Sequence, residues 1–214
     1  MSSPIVGPRL VIAASALTLA VALAGCATAG DTATQPRVAI ETQAGPMLLE
    51  LDLANAPIST CNFLGYVSRG DYDTGSFFRT VVRATNTANP NPIDVIQAAT
   101  EHGSDDDSQP PIPLERTRDT GLRHTAGTIS MARDGPDSAT SSFFIVTQDT
   151  PSLDFGGARN PDGQGFAAFG HLVEGLDVAR AIQMSPADDE EALTPPVKIT
   201  SARVVGAMPA ACHP

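Results

Sequence analysis

The chain reads as an all-β barrel or sandwich with two short helices. Three observations carry that reading. Apolar residues fall in about eight short runs of strand length, rich in β-branched and aromatic side chains. Gly and Pro, 18 of each in 214 residues, lie mostly between those runs and punctuate them. Only two stretches repeat apolar residues at helical spacing. Aromatics are 5% of the chain and Trp is absent, so the core is expected to be mostly Ala, Val, Ile and Leu.

The elements follow in order. Arg37 to Thr42 is a strand, Gln43-Ala44-Gly45 a turn, and Met47 to Leu53 a second strand, together a hairpin. Pro57 suits the first turn of a helix, and Ile58, Cys61, Leu64 and Val67 recur at near-helical spacing before Gly70 ends it. Ser76 to Val82 is an apolar strand with Arg79 in its middle. A buried unpaired charge is costly, so alternation alone points Arg79 outward to water. Ala84 to Pro92 is a loop, and Ile93 to Ala98 a strand carrying Gln97. Thr100 to Pro113 is a solvated loop; its Asp105-Asp106-Asp107 run lacks the alternating ligands and central Gly of a calcium loop. Leu114 to His124 is charged and expected to be irregular.

Gly127 to Val146 is the centre of the chain. Thr128 to Ala132 is a strand, Asp134-Gly135-Pro136-Asp137 is dense turn chemistry, and Ser142 to Val146 returns as an aromatic strand. Successive strand residues face opposite sides, so Phe143 and Phe144 must part company. Asp149 to Gly165 is a long loop, and Phe166 to Val173 a strand. Leu176, Ala179 and Ile182 mark the second helix. An acidic loop, Asp188 to Glu191, precedes a last strand at Val197 to Val205.

The N-terminus reads as a targeting signal. An apolar run, Leu10 to Leu23, follows Arg9 and ends in Leu23-Ala24-Gly25-Cys26, which resembles a bacterial lipobox. The resemblance implies a signal peptide over 1–25, cleavage before Cys26, and lipid on the Cys26 sulfur and N-terminus. Residues 26–36 then form a flexible tether, 37–206 the folded domain and 207–214 a tail. The alternative is an uncleaved anchor, but the run is short against the roughly 20 residues a spanning helix needs. The expected location is the bacterial cell envelope, lipid-anchored to a membrane with the domain on the exported side. Cys61 and Cys212 could pair in an oxidising compartment. The favoured expectation leaves them apart, Cys61 as a small buried hydrophobe and Cys212 on a loose tail.

Charge and motifs exclude much. The formal net charge is -11, which argues against a nucleic-acid partner. There is no G-x-S-x-G, S-x-x-K, H-E-x-x-H or C-x-x-C, and the four histidines are scattered. Gly163-Gln164-Gly165 imitates a dinucleotide fingerprint, but no buried strand leads into it. An enzyme of this composition is expected to need no cofactor, metal or covalent intermediate.

Several blocks together resemble the cyclophilin-type peptidyl-prolyl cis–trans isomerases. They are Phe77-Phe78-Arg79, Gln97, Ser130-Met131-Ala132, Gly135-Pro136, Ser142-Phe143-Phe144-Ile145, Leu153-Asp154 and Phe169-Gly170. The resemblance runs from about Arg37 to Val205. It implies a closed eight-stranded antiparallel barrel capped by two short helices, acting as a monomer on proline-containing polypeptides. It also reverses the reading of Arg79, which matches the family's catalytic Arg. Gln97 matches the residue that orients that Arg and bonds substrate backbone. Phe144 and Leu153 match residues that grip the proline ring, Ala132 a pocket edge, and Phe166 the last pocket wall, where a His is usual. Other departures are Arg133 for Asn, Ser142 for Gln, Ser152 for Trp, Asp94 and Val95 on the pocket floor, and an insertion from Arg83 to Pro92. Loss of the Trp implies weak binding of drugs such as cyclosporin. Three functions follow: isomerase, proline-segment binding module or chaperone with little turnover, and scaffold lipoprotein. Retention of Arg79, Gln97 and Phe144 favours the first.

Overall fold

A computed structural model of the chain describes residues 1–3, 7, 35–86, 89–103 and 108–212. Most of the signal peptide, Cys26 and nearly all of the tether expected from sequence lie outside those residues. Eight strands are present among them: β1 (Arg37–Thr42), β2 (Gly45–Leu51), β3 (Ser76–Val81), β4 (Val95–Ala99), β5 (Thr128–Met131), β6 (Phe143–Val146), β7 (Ala167–Glu174) and β8 (Ala192–Val205). They close into an antiparallel barrel in the order β1-β2-β7-β5-β6-β4-β3-β8. Closure leaves no free sheet edge. Of the two architectures open to the sequence, the barrel is the one formed.

The interior is filled by one face of each strand. Phe63, Tyr72, Phe77, Phe143 and Phe169 are buried there with Val38, Leu49, Ile96 and Ile129. The rings meet edge-on or tilted, with Phe63–Phe143 centroids at 5.3 Å and Tyr72–Phe143 at 5.4 Å. Burying one such side chain is worth about 1.5–3 kcal/mol, so few aromatics suffice when all converge.

Helix α1 (Pro57–Arg69) supplies Phe63 to that core. Pro57 starts it, and Ala56 offers no capping side chain. The orphan amides of Ile58 and Ser59 donate instead to the Glu115 carboxylate at 2.9 and 2.7 Å. Gly70 ends the helix in the left-handed region, φ 77°. Helix α3 (Leu176–Gln183) is the second expected helix and buries Ala179 and Ile182. Between them, in the segment expected to be irregular, a single turn forms α2 (Thr117–Thr120).

Two further expectations fail. Strand β8 starts at Ala192 rather than Val197, despite Pro195 and Pro196. Its pairing with β3 jumps from Phe77↔Val197 to Arg79↔Ala192, so the prolines sit where the ladder is already irregular. Cys61 and Cys212 are also not apart: they form a disulfide with Cα atoms 4.8 Å apart. As far as residue 212 the tail is not loose. A short 3-10 turn, Ala210–Cys212, lays Cys212 against the core beside α1, and Met208 packs there too.

Candidate active site

The outer face of the same strands carries a second, smaller apolar cluster of Val81, Ile93, Val95, Phe144, Val146 and Leu153, with Ala132 and Phe166 packed against it. This cluster walls a cavity of about 230 Å³. All six residues expected at the site from sequence line it: Arg79, Gln97, Ala132, Phe144, Leu153 and Phe166.

Strand register explains why they meet. A bulge at Phe78 shifts the β3–β4 ladder, so that Phe77 faces Ala98 and Arg79 faces Gln97. Gln97 in turn faces Phe144 on β6, and Phe144 faces Ser130 on β5. One row across four strands thus reads Arg79, Gln97, Phe144, Ser130. The adjacent row, Phe77, Ala98, Phe143, Met131, points into the core. Without the bulge, one extra residue would not be absorbed and Arg79 would lose its place opposite Gln97.

A directed chain of hydrogen bonds holds the polar end. Arg79 Nη1 donates to Gln97 Oε1 at 3.1 Å. Gln97 Nε2 donates to Ser142 Oγ at 3.1 Å, and Ser142 Oγ donates to the Ala98 carbonyl at 3.2 Å. Ser142 therefore anchors Gln97 from the position where the family carries Gln. On its other side Arg79 Nη2 is ion-paired with Glu191, whose second oxygen accepts from Asn86. The Arg79 side chain keeps 33% of its surface exposed, so it faces the cavity mouth while both flanks are held. Glu191 has a left-handed φ of 70°, uncommon for a residue with a Cβ, and its carbonyl accepts from Thr80 N at 2.9 Å. In the sequence Glu191 belongs to an acidic loop, and nothing local signals that it reaches Arg79.

Phe144 is braced from behind. His124 stacks on it, centroids 6.0 Å apart and planes 17° apart. His124 Nδ1 lies 2.8 Å from Asp154 Oδ1, and Nε2 lies 3.0 Å from Ser130 Oγ. Burial pushes His124 below the usual histidine range, against the pull of Asp154. Desolvation would raise Asp154, but hydrogen bonds from His124 and the Arg123 charge outweigh it and hold the carboxyl low. A neutral ring fits both contacts, with Nδ1–H donating to the carboxylate and Nε2 accepting from Ser130. Ser, His and Asp here resemble a hydrolytic set, yet Ser130, His124 and Asp154 are all buried and none lines the cavity. They position Phe144.

Arg133, where the family carries Asn, closes the opposite wall. Its side chain is 1% exposed and is paired with Asp162 at 2.8 Å. It also donates to the Gly165 carbonyl from Nε at 2.9 Å and lies 5.1 Å over the Phe166 ring. Gly165 has φ 68°, and a Cβ there would fall 2.6 Å from the Asp154 backbone, so only Gly fits under the arginine. Asp94 behaves differently from the sequence reading. It faces away from the cavity to Arg83 and Gln183, and Ile93 and Val95 form the floor.

A closed antiparallel barrel with an apolar cavity and a held guanidinium on its outer face defines a cyclophilin-like isomerase. A family model for cyclophilin-type peptidyl-prolyl cis-trans isomerases matches residues 37–204, and the chain belongs to that family. It is 34% identical over 174 residues to peptidyl-prolyl cis-trans isomerase cyp18 of Streptomyces antibioticus, covering 79% of this chain and 98% of that protein. It is 35% identical over 177 residues to peptidyl-prolyl cis-trans isomerase A of Dickeya dadantii, covering 80% and 86%. A Cryptosporidium parvum cyclophilin crystal structure shares the fold at 20% identity, with a TM-score of 0.64, covering 81% of this chain and 99% of that one.

Proposed function

We propose that this isomerase acts on X-Pro bonds of exported or envelope proteins and assists their folding, with Arg79 as its catalytic residue. The observation that carries the reading is the row Arg79, Gln97, Phe144 across the cavity wall. Amide resonance sets a rotation barrier of about 18–20 kcal/mol, and X-Pro isomerisation unaided takes tens to hundreds of seconds, as an order of magnitude. No bond is broken and no proton need be lost. Midway through the rotation the prolyl nitrogen becomes pyramidal and regains its lone pair. A cation held beside it stabilises that state more than the planar ground state, which is what acceleration requires. Phe144, Leu153, Phe166 and Ala132 hold the ring. Gln97 and Glu191 keep the guanidinium from turning away, so little reorganisation is left for the moment of reaction.

Export is supported by two independent features. The N-terminal Leu23-Ala24-Gly25-Cys26 run resembles a lipobox, and the domain carries a Cys61–Cys212 disulfide of the kind that persists in oxidising compartments. In this reading the domain is a monomer tethered by acyl chains on Cys26. Two chains or more give stable anchoring where one is marginal. Among the described residues no helix is long and apolar enough to cross a membrane.

Two measurements test the proposal. The full chain is expected to speed cis–trans exchange of a short X-Pro peptide in a protease-free assay. Expressed in a bacterium, it is expected in the membrane fraction with labelled fatty acid attached, and Cys26→Ser is expected to remove both label and membrane association. No acceleration would return the barrel to a binding role; a labelled Cys26→Ser chain would remove the lipid assignment.

A further inference from the structure

Three guanidinium groups line the cavity, and their charges are not equally spent. Arg79 is paired with Glu191 and Arg133 with Asp162. Arg159 makes no ion pair within 4.0 Å among the described residues. It is half-buried. Its Nη1 donates to the Asn91 carbonyl at 3.3 Å, a partner with no formal charge.

Arg159 is nonetheless well placed. Its backbone N donates to the Ser152 carbonyl at 3.1 Å. Asn91 Nδ2 returns to the Ala158 carbonyl at 3.1 Å. Asn91, at the end of the insertion, and the loop after β6 therefore clasp one another and carry the guanidinium to the cavity wall. Ser152, small, does not line the cavity; Arg159 does. Burial pushes the Arg159 guanidinium below its ordinary value, the like charge of Arg79 pushes the same way, and Glu191 opposes them. A cation partly out of water, beside another cation, favours the arrival of an anion.

The competing charge at the cavity is Asp134, on the turn after β5. It is exposed, so water already screens it, and a half-buried cation gains more from a partner than an exposed anion does.

We propose that Arg159 determines specificity: it selects X-Pro segments that carry a carboxylate side chain within two residues of the proline. This rests on the peptide-isomerase reading of the cavity and names a substrate class within it. The net charge of -11 works against acidic clients at long range, so the preference is local to the cavity and weakens with salt.

The test uses the full chain and peptides that differ only in Glu, Gln or Lys at one of the two positions before or the two after proline. The readout is the ratio of kcat/KM for Glu over Gln, which is insensitive to any general loss of activity. The expected ratio is about five- to tenfold at one position in low salt, above what an exposed pair supplies. It falls as salt rises, survives Arg159→Lys and collapses to about one in Arg159→Gln. Ratios of one at all positions overturn the proposal, as does a ratio that persists in Arg159→Gln or a preference for Lys peptides. Should no peptide be turned over, the isomerase reading fails on its own, and the same ratios taken from peptide dissociation constants decide the charge preference separately.

Discussion

Phe143 and Phe144 are neighbours on β6 with opposite surroundings. Phe143 looks inward, and Phe63, Tyr72 and Phe77 surround it with centroids 5.3 to 5.9 Å away. Phe144 looks outward, edge-on to Phe166 at 5.5 Å, with its remaining side open to the cavity. The inner ring is held by rings. The outer ring, missing one wall, is held by a buried polar brace of His124, Asp154 and Ser130 and by a loop locked under Arg133. An apolar surface kept open for a ligand lacks half of its own packing, so polar groups must supply the rigidity that contacts supply inside.

Breaking each ring separately sharpens the contrast. Phe143→Ala is expected to cost the most, about 3–5 kcal/mol of unfolding free energy, because the cavity it leaves is closed on all sides. Urea midpoints measure it, and a cost below that of Phe144→Ala would contradict the two-face description. Phe144→Ala is expected to cost less in stability, about 1–2 kcal/mol, because one side is already open, while lowering kcat/KM at least about tenfold as the ring grip is lost. A variant with Phe144→Ala that keeps full turnover would remove Phe144 from the site.

The polar brace gives the smallest and most selective effect. Burial lowers His124 below its unfolded value near 6.5. Below that pH the unfolded chain takes up a proton that the folded chain refuses, so stability falls as pH drops through the window under 6.5. Asp154, also lowered, adds a further loss only at pH below its ordinary 3.8. His124→Gln is expected to flatten the slope between about pH 6.5 and pH 5 without abolishing folding. Denaturation midpoints across that range check it; an unchanged slope would mean that another group titrates.

Much of this was legible in the sequence. Short apolar runs between Gly and Pro located most of the strands, and the alternation at Phe143 and Phe144 separated core from site. Of the six cavity residues, Arg79, Gln97 and Phe144 lie on strands, where register carries a position across the sheet, Ala132 and Phe166 flank strand ends, and Leu153 sits in a short 3-10 turn. What was not legible depends on where loops end up. Glu191, Arg159 and the partners of Arg133 sit in turns whose sequences fix no distance to the cavity. Pro195 and Pro196 hid the start of β8, since the irregularity that tolerates them belongs to the partner strand as well. The Cys61–Cys212 bridge spans 151 positions, and no local pattern reports a closure of that length. The His124 brace was hidden for the same reason: its carboxylate lies 30 positions away.

The central claim is that Arg79 acts on the rotating bond rather than on peptide capture. The direct measurement is turnover and peptide affinity taken together for wild type and Arg79→Ala, by exchange spectroscopy on one X-Pro peptide. Turnover is expected to fall about a hundred- to a thousandfold, the loss typical for a preorganised donor, while the dissociation constant changes only about severalfold. Equal turnover in both proteins, or a loss of affinity as large as the loss of rate, would contradict it.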